Sequence, residues 1–158
     1  MSGHAGASPR VALVPFEESA AETQELFAQY EAALRDHIDL AFGWDDEFQR
    51  HRFAESYPHS DIRLIQVGAD TAGYAVIRML DDAIHLSLLI LKSSFQRRGI
   101  GKNILTSLMS ESSRTGKVIT LSCFRSNSEA VAFYESMKFQ VMSTEEHFVN
   151  YRFPASIK

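Results

Sequence analysis

The sequence predicts an α+β domain, with one mixed, mostly antiparallel sheet layered between helices (α/β/α). Three observations carry that expectation. Apolar residues recur at helical spacing in the first third, at strand spacing from Ile62 to Leu91, and at helical spacing again from Gly99. Three β-branched-rich runs, "IRLIQVG", "AGYAVIRML" and "AIHLSLLIL", are split only by Ala69-Asp70-Thr71 and Asp81-Asp82, which makes an antiparallel meander the natural arrangement. Beyond Gly116 come a strand, a helix and two more strand-like runs, giving the order β-α-α-β-β-β-α-β-α-β-β.

Each element has a local cause. "RVALVPF" opens a short strand at Val11 to Pro15. Ser19 with Glu22 has the spacing of a capping box, and Leu26, Phe27, Tyr30, Leu34 and Ile38 follow on one face to about Leu40. Gly43 stops that helix, and Asp45 caps a second one through Phe48 and Phe53 to Tyr57, before Pro58. After the meander, Ile100, Ile104, Leu105, Leu108 and Met109 mark a helix ending near Gly116. "VITLSCF" is a strand, and Ser126 with Glu129 reads as another capping box for a helix through Val131, Phe133, Tyr134 and Met137. "FQVMST" and "HFVNYRF" close the chain as a hairpin.

The chain of 158 residues has no internal repeat or linker, so residues 10–158 are expected to form one domain behind a flexible tail over residues 1–9. No apolar stretch approaches the roughly 20 residues that span a bilayer, and the N-terminus lacks a signal-peptide pattern, so no membrane partner is expected. A single cysteine, Cys123, fits a reducing cytoplasm and reads as a buried structural thiol. The net charge of −4 argues against nucleic acid as a partner. Its distribution is uneven. From Ala83 to Ser110 there is no acid, yet Lys92, Arg97, Arg98 and Lys102 fall there. From Glu17 to Glu55 eleven acids face three arginines, which reads either as solvated helix faces or as a region that attracts a cation.

"SFQRRGIGKN", residues 94–103, joins the end of an apolar strand to the start of a helix. A P-loop would need four residues between its glycines and Ser or Thr after the lysine; here the glycines flank one residue and Asn103 follows Lys102. A dinucleotide fingerprint would need a third glycine where Ile104 stands, within a parallel βαβ unit that the element order does not suggest. What remains is a helix N-terminus with bare N–H groups, cleared by glycine and flanked by cations, which suits a pyrophosphate. A Gly-containing helix start with a solvated basic flank is the alternative.

Gln96-Arg97-Arg98-Gly99-Ile100-Gly101 resembles the Q/R-x-x-G-x-G/A signature of the GCN5-related N-acetyltransferase (GNAT) superfamily. "NSEAVAFYESMKF" (Asn127 to Phe139) resembles that family's N-x-x-A-x-x-F/L-Y-x-x-x-G-F segment, and the element order matches its fold. Ser93 stands where many members have proline, and Lys138 where they have glycine. The resemblance implies a sheet splayed at a cleft for acetyl-CoA, the acyl donor, with no metal. Leu89, Ile90 and Leu91 would pair with pantetheine, and the backbone from Arg97 to Lys102, after Gln96, would hold the pyrophosphate. Asn127 would bind the cofactor arm or serve as part of a helix cap.

The resemblance also implies acetyl transfer to an amine of a small molecule or peptide by direct attack in a ternary complex. An amine of pKa near 10 is neutral in only about one molecule per thousand at pH 7, so a base or water relay is useful. Tyr134 is the candidate acid for the departing thiolate; packing in the core is its other reading. Some members carry a glutamate eleven residues before the motif's Gln. That position is His85 here, read as a base or as a hydrogen-bonded sheet histidine, alternating with Ser87.

The acceptor is expected between the first two helices and the last hairpin. "DHIDLAFGWDDEFQRHRF" (Asp36 to Phe53) resembles an F-G-W-D helix junction of small, largely uncharacterised bacterial GNAT proteins. Trp44 with Asp45 and Asp46 reads as a wall for a cationic or aromatic acceptor; the other reading is Trp44 as a packing plug and Asp45 as an N-cap. His37, His51 and His59 have no metal spacing. A catalytically silent CoA-binding module on the same fold is the second functional reading, and monomer or homodimer both remain open.

Overall fold

Every strand of an antiparallel meander has two faces to cover, and the apolar stripes of four helices cover them. The computed structural model describes residues 10–17 and 19–154; the tail expected over residues 1–9 lies outside them. In chain order the elements are β1 (Val11–Pro15), α1 (Ala20–Phe42), α2 (Asp46–Ser56), β2 (Ile62–Val67), β3 (Asp70–Met79), β4 (Ala83–Leu91), α3 (Ile100–Thr115), β5 (Val118–Phe124), α4 (Ser128–Ser136), β6 (Gln140–Thr144) and β7 (Phe148–Phe153). They form a seven-stranded sheet ordered β1-β2-β3-β4-β5-β7-β6. Only β4 and β5 are parallel; all other neighbours are antiparallel.

One face of the sheet is covered by α1 and α2. Leu26, Phe27, Tyr30 and Ile38 of α1 and Phe53 of α2 pack there on Ile62, Tyr74, Val76, Leu88 and Ile90. The other face is covered by α3 and α4, where Leu105, Leu108 and Tyr134 meet Ile84, Leu86, Ile119 and Leu121. Those four strand residues are at most 2% exposed. Full burial of one such side chain contributes about 1.5–3 kcal/mol, against about 1 kcal/mol net for a backbone hydrogen bond. Packing, more than the strand ladder, therefore holds α3 on the sheet.

Ile84 and Leu86 serve one core while Leu88 and Ile90 serve the other, although all four are even-numbered. The cause is a bulge. Val76 pairs with Leu88 and Ile77 with Leu86, so Ser87 is left as an extra residue and the faces exchange beyond it. The regular alternation expected to place His85 and Ser87 as a pair ends at this residue.

Two sequence expectations need correction. β4, α3 and β5 do form a parallel βαβ unit, paired from Ala83–Val118 to Leu86–Leu121. A run of three strands, a helix and a strand is compatible with either direction for the last strand. Here α3 carries the chain back along the sheet, so β5 starts beside the start of β4. Ile104 in place of a third glycine still distinguishes the helix start, because that side chain is 2% exposed in a core with Ile65, Val67 and Ala72. Second, α4 is capped by Asn127, whose Oδ1 accepts from the Ala130 N–H at 3.1 Å, and not by Ser126. Ser126 Oγ instead meets His37 Nδ1 at 2.7 Å, and Glu129 turns to Arg97. The first helix caps as expected, with Ser19 Oγ accepting from Glu22 N–H at 3.2 Å, and extends two residues past Leu40.

Lys138 ends α4 in the left-handed region at φ 73, with its N–H bonded to Glu135 O at 3.0 Å and the Phe139 N–H to Tyr134 O at 3.1 Å. A side chain there costs roughly 1–2 kcal/mol, partly offset by the greater chain freedom that glycine loses on folding. Lys138→Gly is expected to raise stability by about 0.5–1 kcal/mol, read as a higher midpoint in urea unfolding; an unchanged or lower midpoint would contradict the strain.

Candidate active site

The site is built where two parallel strands part. β5 pairs with β4 only as far as Leu121, and from Ser122 to Phe124 it pairs with β7 alone. β4 continues from Leu88 to Leu91 paired with β3 alone. Over this stretch Leu89, Ile90 and Leu91 have no strand partner on the β5 side, so a wedge opens between the two strands. Backbone groups on that edge need another partner.

The loop at the end of β4 lies beside this wedge. Gln96 Nε2 donates to Leu91 O at 3.0 Å, tying the loop to the strand end. Ser93, where the family pattern has proline, starts a 3-10 turn closed by Phe95 N–H on Lys92 O at 2.9 Å. Arg97 adopts φ 61 and pairs with Glu129 in the first turn of α4. Arg98 lays its guanidinium over the Phe95 ring at 5.0 Å. Gly99, at φ 81, is the N-cap of α3. An L side chain there would be strained, although the space beside it is open.

The start of α3 differs from the others. Side chains of Ser19, Asp45 and Asn127 cap α1, α2 and α4, whereas α3 has no side-chain cap. Its first intrahelical bond is Asn103 N–H to Gly99 O at 3.0 Å, which leaves the N–H groups of Ile100, Gly101 and Lys102 without helical partners. Ile100 is buried, Gly101 backs onto the Phe133 ring, and Lys102 flanks the opening. A shallow groove of about 480 Å³ along the first turns of α3 is lined by Arg98, Gly99, Ile100 and Lys102 among others. An uncapped, cation-flanked helix start beside an unpaired strand edge fits the pyrophosphate and the amide-bearing arm of coenzyme A.

On the α4 side, Asn127 spends Oδ1 on the cap, and its Nδ2 has no hydrogen bond among the described residues. The two sequence readings of Asn127 are therefore compatible. Tyr134 is 8% exposed, ringed by Phe133, Phe139 and Tyr151. Burial, and then the neighbouring Cys123, push its phenol above the ordinary value. The Cys123 thiol is pushed up to about 11, by burial and then by Glu135. Glu135 accepts from Tyr151 Oη at 2.9 Å.

The opposite face, toward α1 and α2, is polar beside the parting point. His85 Nδ1 lies 2.8 Å from Thr120 Oγ1, and burial, then Arg78 across the strand pair, lower its pKa from 6.5. His85 and Tyr134 thus occupy opposite faces of the sheet. Ser122, the first β5 residue past the last β4 pair, donates to Asn150 Oδ1. Asn150 Nδ2 donates to Ser143 Oγ at 2.9 Å and to Glu145 Oε2 at 2.7 Å. Arg125 grips the β6–β7 turn through the carbonyls of Glu145 and Glu146 at 3.3 and 3.2 Å. Sequence reasoning missed this group. Its signal was the polar set Thr120, Ser122, Asn150 and Arg152 at alternate positions of two otherwise apolar strands.

Trp44 and Asp45 lie apart from these residues. Asp45 Oδ1 accepts from Phe48 N–H at 3.0 Å as the cap of α2. Trp44 packs on Phe27 and carries the Arg35 guanidinium 5.2 Å from its ring centroid. Among the described residues no group of three or more His, Cys, Asp or Glu could hold a metal ion, and no helix is long and apolar enough to cross a membrane.

Known proteins resemble this chain in sequence and in fold. The sequence model for the acetyltransferase (GNAT) domain matches residues 24–153. A ribosomal protein bS18-alanine N-acetyltransferase of Escherichia coli is 28% identical over 131 residues, covering 82% of this chain and 84% of its own. In solved structures, PH1933 of Pyrococcus horikoshii superposes with a TM-score of 0.70 at 15% identity, covering 94% of this chain and all of its own. The PaiA N-acetyltransferase of Thermoplasma acidophilum, crystallised with coenzyme A, gives 0.69 at 16% identity, covering 92% and 99%.

The lowered pKa of His85 sets a pH dependence. The folded protein binds fewer protons at this residue than the unfolded chain, so its contribution is full above pH 6.5 and declines as pH falls toward the folded pKa. Urea midpoints are expected to fall between pH 7.5 and 5.5, and His85→Gln to flatten that fall. An equal slope in the variant would mean that other groups cause it.

Proposed function

The chain belongs to the GNAT acetyltransferase family, and from that premise we propose that it acetylates an amine by direct attack in a ternary complex, the acceptor being the α-amine of a peptide or protein. It is an N-acetyltransferase with acetyl-CoA as acyl donor. The observation that carries the mechanism is the unpaired edge of β4 leading to the uncapped start of α3. The acceptor class is supported by the alanine N-acetyltransferase similar to this chain.

When bound, acetyl-CoA supplies an acetyl thioester as the electrophile. The edge from Leu89 to Leu91 would pair with the amide-bearing arm, with Asn127 Nδ2 as a further donor. The N–H groups of Ile100, Gly101 and Lys102 would hold the pyrophosphate, with Arg98 and Lys102 adding charge. The state of Cys123 supports direct transfer. With its thiol pushed up to about 11, it is almost wholly protonated at neutral pH and a poor acceptor for the acetyl group.

Tyr134 is the proton donor to the leaving sulfur. A phenol above its ordinary pKa is a weak acid, but the burial that raises it also raises Cys123 beside it. A sulfur anion in that surrounding gains basicity in the same way, so the proton can still move from oxygen to sulfur. His85, neutral at pH 7, assists on the acceptor side. In the tautomer whose Nδ1 donates to Thr120, Nε2 is left to accept a proton from the amine, directly or through water. Trp44 and Asp45 contribute only by fixing the α1–α2 junction, Trp44 against Phe27 and Asp45 as the cap of α2.

The purified chain is expected to release thiol from acetyl-CoA with an alanyl peptide amide more efficiently than with a lysine ε-amine peptide or spermidine. Preference for either of those would reassign the acceptor. Binding of acetyl-CoA without thiol release on any acceptor would mark a silent module. Tyr134→Phe is expected to lower kcat about 10²-fold with little change in acetyl-CoA affinity, and an unchanged kcat would remove Tyr134 from the acid role.

A further inference from the structure

On the reading that the acceptor is an amine, we propose that Glu145, tied through Asn150 to Ser122 beside the wedge, is the counter-ion that draws in and orients the acceptor's ammonium group. Four observations point there. Ser122 is the first β5 residue beyond the last β4–β5 pair, and its side chain faces the α1–α2 side together with Thr120 and Phe124. Its hydroxyl is committed to Asn150 Oδ1, which fixes the amide so that Nδ2 points at Glu145 and Ser143. Glu145 Oε2 takes that bond at 2.7 Å, which leaves Oε1 as an acceptor facing solvent. The turn carrying it is pinned at its backbone, by Arg125 on two carbonyls and by Glu145 N–H on Phe148 O at 2.8 Å.

The charges nearby explain why such an anchor is useful. Arg78 pairs with His85 and Arg152 with Thr120, so two cations flank the closed end of this face. For an ammonium bound on this face, a carboxylate beside Asn150 offsets the two arginines at its closed end. Glu146 points outward toward His147 Nε2 at 3.7 Å and takes no part in the Asn150 network. Of the two carboxylates in this turn, Glu145 is therefore the one tied to the Ser122–Asn150 pair beside the wedge. The ligand class is a primary ammonium carried by an acceptor that enters from the α1–α2 side.

The test is steady-state kinetics with an alanyl peptide amide and acetyl-CoA on wild type, Glu145→Gln, Asn150→Ala and Glu146→Gln. Glutamine keeps the bond from Asn150 and removes only the charge. Glu145→Gln is expected to raise the peptide KM roughly tenfold, the loss of one charge-assisted hydrogen bond, with the acetyl-CoA KM unchanged. Raising salt should weaken peptide KM in the wild type and barely affect it in Glu145→Gln, because screening acts on the missing charge. Asn150→Ala should show a smaller rise, and Glu146→Gln none. A peptide KM and salt response in Glu145→Gln equal to those of the wild type would overturn the anchor while leaving amine acetylation intact. If the wild type acetylates no amine, the proposed function and the anchor fall together.

Discussion

The structure depends on β4 leaving β5 halfway along its length. A strand can part from its neighbour only if its freed amides and carbonyls find other partners, since an unpaired buried backbone group costs about as much as a lost hydrogen bond. The parting coincides with one extra residue, Ser87, directly after the last paired position at Leu86. A bulge bends its strand and exchanges its faces, so the same residue ends the pairing with β5 and moves Leu88 and Ile90 into the core beneath α1. The far half of β4 is then held by β3 on one edge and open on the other. An acyl donor with a string of amides along its arm suits that edge better than a flat ligand would.

The helix start and the strand edge lie side by side because the loop between them is short and tied. Gln96 closes on the strand end, Phe95 packs under Arg98, and Gly99 adopts the conformation that turns the chain into α3. Arg97, also in the left-handed region, joins this loop to α4 through Glu129. Both partners of that pair are more than 70% exposed, so it adds at most about 1 kcal/mol. The core beneath Ile100 and Ile104 fixes the position of the helix. The ion pair fixes only where the guanidinium points.

Much of this was legible in the sequence because it is local. The order of the elements, the stop at Gly43, the cap at Asp45 and the glycine-bearing helix start all follow from neighbours within a few residues. What was not legible depends on partners far along the chain. The Ser87 bulge has no glycine or proline to mark it and is defined only by register against Val76 and Ile77. The parallel direction of β5 depends on where α3 returns the chain. α4 starts one residue later than the capping-box spacing suggests, so Asn127 caps it, and the Ser126 hydroxyl bonds His37, 89 positions earlier. The Ser122–Asn150–Glu145 group joins β5, β7 and the turn before β7, and each member alone reads as an ordinary polar residue on a sheet.

The charge pattern shows the same distinction between composition and placement. The acid-rich segment from Glu17 to Glu55 looks like an attraction for a cationic acceptor. In the fold several of its carboxylates are committed within their own helices: Glu31 to Arg35, Asp46 to Arg50 and Glu25 to Gln29. Asp45 is a cap, and Asp39 accepts from the Trp44 N–H. The ion pairs among them partly cancel the field of the segment. The basic stretch around Arg98 and Lys102 is different, because no acid lies between Ala83 and Ser110 to neutralise it. Its charges add to the dipole of an uncapped helix. The basic helix start that composition singles out therefore keeps its charge in the fold, while the acid-rich segment spends several of its carboxylates within its own helices. A ligand charge is recognised by a partner that the fold leaves unneutralised and aims at the opening, and the count of like residues in a segment says little about that.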